Sequence, residues 1–545
     1  MYRKTVGLLG LLVALVCGVA LGNGVALAQE SSRSTSTTDH SKLEPLMREF
    51  SSGPEVTAAC LSCHTEAGEQ VMHSIHYSWD YAHPATGQDL GKRRVLNNFC
   101  GNVVSNEARC TSCHTGYGWE DMRVEAPPDP TRVDCLACHD GSGQYTKLNN
   151  QAGHPPLDPV PAGARTITGA EAWAVDLTKA AQSVGPPTRQ TCGTCHFYGG
   201  GGDNVKHGDL SSVLYDPPRS VDVHMSVEGG DFSCSTCHVS DGHQIAGSRY
   251  SVDAKPSGER ARSVERRDVA TCESCHSGQP HAATLVGNKL DNHSDRIACQ
   301  TCHVPEFARG GVATQTLWDW STSGRLENGR PLTEMGYVQG DGTPRPMYQS
   351  PKGDLDWAED VVPEYHWFDG QVRYETELTD VTPGEAAVIN PIAGDPTDGL
   401  SRIWPFKRME GRQPYDTHYH TLLLNQVYGP GSETAYWIHY DWDKSLRAAM
   451  DYVGEPFSGE WDFIDTHMYW PVTHMVAPAE DALDCQACHT RDGRMVGLAG
   501  VYVPGADGLG TAGIAGLVLL ILTVLGVAGH AAARFISTRK GGQHG

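Results

Sequence analysis

The sequence predicts a mainly α-helical fold with extensive loops and little sheet, organised around bound prosthetic groups instead of a conventional apolar core. Two observations carry this prediction. Sixteen of the 18 cysteines fall into CxxCH sequences. Between these sequences, Gly, Pro, Ser and Thr interrupt most stretches of the chain, so that few long apolar segments remain to build a core.

The CxxCH spacing is typical of covalent attachment of a c-type haem, in which two thiols bind the haem edge and the histidine ligates the iron. A single copy is also compatible with a zinc half-site or a redox-active dithiol. Eight copies, each with its histidine, favour eight covalently bound haem c groups. The motifs comprise Cys60, Cys63 and His64; Cys110, Cys113 and His114; Cys135, Cys138 and His139; Cys192, Cys195 and His196; Cys234, Cys237 and His238; Cys272, Cys275 and His276; Cys299, Cys302 and His303; and Cys485, Cys488 and His489.

The spacing of the motifs divides the chain into two parts. Seven motifs lie within residues 51–303, which we interpret as a seven-haem core. Residues 304–507 are poor in cysteine and rich in aromatic residues, and they return to the eighth motif near their end. Within this part, "AYWIHYDWDKSLRAAMDYV" has helical periodicity, and "GEPFSGEWDFIDTHMYWPVTHMVAP" is interpreted as a second helix. The sequence therefore predicts an aromatic-rich helical subdomain packed on the haem core.

The two ends of the chain predict export and a membrane anchor. Residues 1–28 have a basic start, an apolar stretch and a final "ALA", as in a secretory signal peptide cleaved after Ala28, with Cys17 inside it. Residues 29–50 are interpreted as a polar lead-in without fixed structure. Residues 508–533 are uncharged and long enough to span a bilayer, although a buried helix of a soluble core is the alternative. The basic residues of the tail, 534–545, place the tail in the cytoplasm and the body on the periplasmic side of the inner membrane.

The formal net charge of −23 argues against a nucleic-acid partner. It is compatible with a basic redox partner, and the oligomeric state is left open.

An electron-transfer haem needs a second axial ligand, which is usually another histidine. The eight motif histidines and three histidines near the chain ends (His40, His530 and His544) are set aside. Seven of the remaining histidines stand in favourable contexts, namely His76, His207, His224, His243, His281, His293 and His474. Others compete with them: His73, His83, His154, His418, His420, His439 and His467. Spacing along the sequence does not pair a distal ligand with its haem.

Seven candidate histidines for eight irons leave one iron with a different ligand. Asp140 and Lys147 follow the third motif closely. A lysine ligates iron only when it is neutral, and burial lowers the pKa of a lysine; a solvated charge is the alternative for Lys147. Cys100 is the one cysteine of the mature chain outside the motifs. Its simplest interpretation is a small buried apolar residue.

Several long strings make the chain resemble a known family. "LNNFCGNVVSNEARCTSCHTGYGW", "VDCLACHD", "CGTCHFYGGGGDNVKHGDL" and "WPVTHMVAP" are similar to sequences of the octahaem tetrathionate reductase family, and the similarity runs from Cys60 to Gly505. The family is related to hydroxylamine oxidoreductase and to pentahaem nitrite reductase. The resemblance implies seven haems with two histidine ligands and one catalytic haem with a distal lysine. It also implies reduction of tetrathionate, nitrite and hydroxylamine.

Carried over residue by residue, the resemblance makes the second haem, at Cys110, Cys113 and His114, the catalytic one. It makes Lys147 the distal ligand, with Asp140 nearby and Lys92 as the main competitor. Cys100 is then expected near the same pocket, where cations such as Lys147 or Arg109 would favour a thiolate.

The function predicted from the sequence is therefore a terminal reductase. It would take electrons from a quinol-linked or small cytochrome donor and pass them to a small inorganic sulfur or nitrogen substrate. Oxidation of hydroxylamine, or an electron conduit without chemistry of its own, are the alternatives.

Overall fold

The computed structural model describes residues 37–252, 271–376 and 379–541. The predicted signal peptide, its cleavage point and Cys17 lie outside these residues. So do the first part of the predicted lead-in and the last four residues of the tail.

The haem motifs form short helical turns joined by loops. One turn of helix brings residues that are three or four apart to the same side, so the two cysteines and the histidine of a motif can face one group. The α-helices are Gly53–Leu61, Ala67–Met72, Ile75–Ser78, Glu107–Cys110, Leu136–His139, Leu177–Gln182, Arg189–His196, Cys234–Cys237, Glu273–His276, Leu285–His293, Cys299–His303, Tyr436–His439, Trp442–Val453, Cys485–Cys488 and Thr511–Gly541. The 3-10 helices are His40–Lys42, Glu44–Leu46, Thr111–Cys113, Pro130–Arg132, Ser212–Tyr215, Trp320–Thr322 and Ala479–Asp481.

A large mixed sheet occupies the part of the chain between the seventh and eighth motifs. Its strands, numbered in chain order, are β1 (Thr314–Asp319), β2 (Thr333–Val338), β3 (Pro344–Gln349), β4 (Gly353–Ala358), β5 (Glu364–Phe368), β6 (Ala387–Val388), β7 (Arg402–Asp416) and β8 (Trp461–Pro471). They are ordered β6-β8-β7-β1-β4-β3-β2, and β5 also pairs with β7. Three two-stranded ribbons complete the sheet structure: Tyr81–Ala82 with Asp89–Leu90, Ser240–Asp241 with Gln244–Ile245, and Leu326–Glu327 with Arg330–Pro331.

This sheet corrects the predicted fold class. The chain is 28% helix and 18% strand, so a mainly helical fold is wrong for the cysteine-poor part. The predicted second helix is strand β8, which pairs antiparallel with β7 along its whole length. Burial alternates along most of β8, with Ile464, Thr466, Met468 and Trp470 facing inward. A period of two residues is that of a strand with one buried face.

The first predicted helix of this part is confirmed at Trp442–Val453. Asp441 caps its start by accepting a hydrogen bond from the Lys444 amide, and Gly454 ends it in the left-handed conformation. Leu446, Ala449 and Met450 are buried against the sheet. The largest apolar cluster of the described residues thus lies between the sheet, this helix and residues 90–99.

The two ends of the described chain differ from each other. Residues 37–50, part of the predicted lead-in without fixed structure, are ordered, and Leu46 is buried. The helix Thr511–Gly541 is long and apolar, and none of it is packed inside the protein. Among the described residues, one helix has the length and composition to cross a membrane, and it is this one.

Candidate functional site

Seven of the eight motif histidines face a second histidine across a gap. The distances between ring centres are 6.4 Å for His64 and His40, 6.4 Å for His139 and His243, 6.1 Å for His196 and His76, 6.2 Å for His238 and His474, 5.9 Å for His276 and His224, 6.3 Å for His303 and His281, and 6.2 Å for His489 and His293. Each pair joins residues that are far apart in the sequence or in separate elements, so the fold brings them together.

This separation fits one metal ion between each pair of rings. An imidazole nitrogen binds a transition metal at about 2.0–2.1 Å and lies about 1.2 Å from its ring centre, so two opposed ligands stand about 6.4 Å apart. The observed separations of 5.9–6.4 Å agree with that geometry. With two cysteines beside each motif histidine, the residues present fit a covalently bound haem with two histidine ligands.

The hydrogen bonds of these rings support the same assignment. In seven of the fourteen rings, Nδ1 is within 3.2 Å of a backbone or side-chain oxygen: His139, His238, His243, His281, His293, His474 and His489. A histidine that ligates a metal commonly donates its other N–H to such an oxygen, which fixes the ring. Nε2 of each of these rings is thereby left for the gap between the pair.

Six of the seven predicted distal histidines are members of these pairs, and His207 is not. The ring of His207 packs 4.9 Å from that of Trp470. His40 lies opposite His64 instead. It was not among the seven predicted distal ligands, because it lies near the N-terminal end of the chain. An ordered, short 3-10 helix at His40–Lys42 holds that residue in position.

We predict that His40→Leu removes the distal ligand of the first haem, because His40 faces His64 across the gap. One of the haems should become high-spin in the ferric protein, as measured by electron paramagnetic resonance. His207→Leu is the matched control and should leave every haem low-spin. The opposite result in the two variants would restore His207 as the ligand.

Contacts between cysteines of different motifs give the order of the haem sites. Thiols of different motifs lie close to each other between motifs 1 and 3 (Cys60, Cys135), 2 and 4 (Cys113, Cys195), 4 and 5 (Cys192, Cys234), and 6 and 7 (Cys272, Cys299). Cys302 of motif 7 lies close to both cysteines of motif 8, and Cys138 of motif 3 lies close to motif 4.

Motifs 5 and 6 are linked through Asp222. This carboxylate accepts hydrogen bonds from the amides of His224 and Val476, so the segments with His224 and His474 lie side by side. Together these contacts order the sites of motifs 8, 7, 6, 5 and 4 in a row. At motif 4 the row divides into two branches. One branch leads to motif 2, and the other leads through motif 3 to motif 1.

The second motif differs from the other seven. Among the described residues, no histidine ring faces His114, and its ring packs against Tyr77, Trp79 and Trp119 at 4.9–5.3 Å. Nε2 of His114 lies 2.6 Å from the carbonyl oxygen of Tyr77, and Nδ1 is buried without a hydrogen-bond partner. A buried imidazole nitrogen without a partner is costly, and an iron would satisfy it.

Of the predicted catalytic residues Lys147, Asp140 and Cys100, the first two make other contacts. The ammonium of Lys147 is buried, donates to the carbonyl oxygen of His114 at 2.8 Å and forms an ion pair of 2.6 Å with Asp134. The ammonium thus already has two close partners, a carboxylate and a carbonyl oxygen. Asp140 accepts hydrogen bonds from Ser142 and from the amide of Tyr145 within its own loop.

Two other lysines approach the second motif. Lys92 places its ammonium 4.3 Å from the ring centre of Trp79, and Lys206 places its ammonium 5.0 Å from that of Trp470. Both lie close enough to the Cys113 thiol to act on it electrostatically. Burial, with Arg249 and Lys92 nearby, lowers the pKa of Lys206 well below its usual value. No carboxylate of the described residues forms an ion pair with Lys206.

A third lysine fixes the loop that carries Lys206. Lys407 is fully buried on strand β7, and its ammonium donates to the carbonyl oxygen of Val205 at 2.8 Å, to that of Lys206 at 3.2 Å and to the Thr314 hydroxyl at 2.7 Å. Burial lowers the pKa of Lys407 to about 7. This residue could not be recognised from the sequence, because its acceptors come from segments about 90 and 200 positions away.

Cys100 lies beside Cys110 of the second motif, among Lys352, Arg109 and Lys92. Burial raises the pKa of Cys100, although these three cations oppose the change. The thiolate that we expected from nearby cations is therefore not favoured, since desolvation outweighs them. The residue packs against the aromatic cluster between the sheet and residues 90–99.

Comparison with known proteins places this arrangement among c-type cytochromes. A family model for bacterial cytochrome c matches residues 315–492. An uncharacterized protein of Archaeoglobus fulgidus is 21% identical over 276 residues, which are 43% of this chain and 89% of that protein. The crystal structure of octaheme cytochrome c from Shewanella oneidensis is 34% identical and matches with a TM-score of 0.70, covering 85% of this chain and 97% of that one.

Proposed function

The chain belongs to the octahaem c-type cytochromes that its sequence resembles, and on this premise we propose that it is a membrane-anchored periplasmic reductase with eight haem c groups. The proposed substrates are tetrathionate, nitrite and hydroxylamine, reduced at the second haem. One observation carries the proposal. Among the described residues, His114 alone of the motif histidines lacks a facing histidine. An iron held there has a ligand position that differs from the rest, as a reaction centre requires.

The ligand that we propose for this position is Lys206 instead of Lys147. Lys206 is half-buried and has no ion pair among the described residues, and its lowered pKa favours the neutral amine that a metal needs. Lys147 is committed to Asp134 and to the backbone of His114. The hydrogen bonds of Lys407 to the carbonyl oxygens of residues 205 and 206 support a fixed position for Lys206.

The haem would supply electrons and a coordination position for substrate, and the protein supplies the electrostatics. Arg249 lies within electrostatic reach of Lys206, stacks 5.4 Å from the Trp470 ring and donates to the Tyr250 hydroxyl at 2.8 Å. Lys92 also lies within electrostatic reach of Lys206 as a further positive charge. Cations fixed in a site of low water content attract an anion such as nitrite or tetrathionate and stabilise negative charge as bonds break.

Lys206 has a second role in this proposal. Its amine would also serve as a base that can bind a proton beside a substrate held at this site. Reduction of nitrite or hydroxylamine consumes protons, and a group held next to the reacting atoms transfers them best. The Tyr250 hydroxyl, hydrogen-bonded to Arg249, is the nearest phenol in the same cluster.

The test is turnover of the purified, haem-loaded protein with reduced methyl viologen, offering nitrite, hydroxylamine and tetrathionate in turn. Turnover of any of them supports a reductase, and the ranking of kcat/KM selects the substrate class. Absence of turnover with all three, together with eight low-spin haems that bind no added cyanide, would establish an electron conduit instead.

A further inference from the structure

We propose that the eighth haem motif faces the bilayer and is the port through which electrons enter from a donor confined to the membrane. The inference depends on the proposed function in one respect, namely that the electrons travel to the second motif. The position of the port follows from three features of the chain.

The first feature is the short connection between the eighth motif and the apolar helix. Nδ1 of His489 donates to the carbonyl oxygen of Pro504 at 2.9 Å, and the amide of Val503 donates to Asp507 at 2.6 Å. Gly505 has a φ of +91°, and a Cβ there would lie 2.3 Å from the His489 carbonyl oxygen. The chain is therefore packed on the motif as far as Asp507.

Only residues 508–510 then separate this packed segment from Thr511, where the helix begins. A fully extended chain of this length spans about 14 Å. If the helix crosses the bilayer, the eighth motif is held within that distance of the surface.

The second feature is exposed apolar surface on both segments that bear the ligands of this haem. Val496, Tyr502 and Leu509, which follow His489, are 54%, 56% and 54% exposed. Leu285 and Val286, on the helix that ends at His293, are 93% and 65% exposed. Apolar side chains beside an anchor partition into the interface of the bilayer. We therefore assign the lipid surface as the occupant of this face, because the segment with Val496, Tyr502 and Leu509 leads directly into the anchor.

The third feature is the order of the haem sites. Thiol contacts place motif 8 at an end of the series, next to motif 7 alone among the described motifs. The series leads from there through motifs 7, 6, 5 and 4 to motif 2. The other ends are motif 2, the proposed destination, and motif 1, which lies more than 400 residues before the anchor in the sequence. The membrane tether thus selects motif 8 as the entry point.

The donor is expected to be a membrane-confined reductant, and the probe is a viologen with a hexadecyl chain, reduced to its radical cation in phosphatidylcholine vesicles. Each radical cation loses one electron and converts one ferric haem to the ferrous state. A spacer of about twelve prolines, inserted after Gly508, would extend the connection by about 37 Å. We expect fast haem reduction by the lipid-bound dye in the native chain and its loss in the spacer variant. The same spacer after Gly545 is the control and should change nothing.

Soluble methyl viologen separates this inference from the proposed function. The spacer variant should be reduced by methyl viologen as fast as the native chain. Loss of turnover with every substrate would overturn the reductase, and the dependence of haem reduction on the spacer would still establish the port. Equal reduction of both chains by the lipid-bound dye would overturn the port, whatever the turnover.

The orientation has an independent readout that needs no electron transfer. A nitroxide label at Val496→Cys or Leu285→Cys, in fully oxidised protein in vesicles, should be accessible to oxygen and protected from a water-soluble nickel chelate. The matched control is Val338→Cys, 68% exposed on strand β2, which should be accessible to the chelate. Equal chelate accessibility at all three positions would overturn the proposed orientation. Should the additional cysteines impair haem attachment, hydrogen exchange of residues 493–503 in vesicles replaces the label, with protection expected and free exchange overturning the proposal.

Discussion

Replacement of Lys206 by leucine is expected to leave one haem high-spin and to lower kcat/KM for nitrite or hydroxylamine by about 10²–10³-fold, a loss typical when one positioned proton-transfer group is removed from an active site. Leucine fills much of the same space but has no lone pair to bind a metal or a proton. The spectral change reports the lost ligand, and the kinetic change reports the lost proton-binding group. Electron paramagnetic resonance of the ferric protein and viologen-coupled turnover measure the two effects separately.

Lys147→Leu is the control for this variant. Lys147 lies near the same haem motif, but its ammonium is paired with Asp134 and bonded to the backbone of His114. This change should leave all haems in their native spin states, although it weakens the fold. A high-spin haem in Lys147→Leu and a native spectrum in Lys206→Leu would return the distal position to Lys147, as the sequence resemblance implied. Lys92→Leu tests the remaining competitor in the same way.

The haem motifs were predictable from the sequence because they are local. Two thiols and a histidine within five residues define the chemistry without reference to the fold. The distal ligands do not lie next to the motifs in the sequence. The prediction therefore chose among isolated histidines from the residues that flank each of them. That choice failed to include His40, because a polar segment near the chain end suggested disorder. In the structure, Asp39 caps a short 3-10 helix there and Leu46 is buried next to it, which orders the segment.

The choice between lysines could not be made from spacing either. The position of Lys147 after a haem motif is equally compatible with a solvated charge, and only the family resemblance made it the predicted ligand. The decisive difference is the partner of each ammonium. Asp134, directly before Cys135, neutralises Lys147, whereas Lys206 meets aromatic and cationic groups. Such a difference depends on tertiary contacts, which a sequence pattern does not contain.

The β-sheet, by contrast, has a recognisable pattern in the sequence, which was wrongly predicted to be helical. "WDFIDTHMYWP" alternates larger apolar residues with polar ones over much of its length, and strand β8 buries the alternate set. Strand β7, "RIWPFKRMEGRQPYD", is buried on both faces over most of its length, so it shows no clean alternation. The aromatic-rich segment was predicted to be a helical subdomain, although aromatic and β-branched residues favour strands.

The largest effect on stability is expected from Asp134→Asn. Asp134 is fully buried and accepts hydrogen bonds from Tyr117 and Tyr145 at 2.8 Å, besides its 2.6 Å ion pair with Lys147. Asparagine would leave the Lys147 ammonium buried without its counter-ion. Removal of one partner of a buried ion pair costs about 3–5 kcal/mol. Guanidinium unfolding, followed by the Soret absorbance, measures the loss.

Two comparisons isolate the cause of this loss. Asp443→Asn removes an exposed ion pair with Arg447 and should not change the midpoint of unfolding, because solvent screens such a pair. Combining Asp134→Asn with Lys147→Met should recover much of the lost stability, since no unpaired charge then remains in the interior. If Asp134→Asn alone unfolds with the native midpoint, the carboxylate does not hold Lys147 as an ion. The reason for preferring Lys206 as the metal ligand would then disappear, so the stability of one buried pair bears directly on the assignment of the catalytic haem.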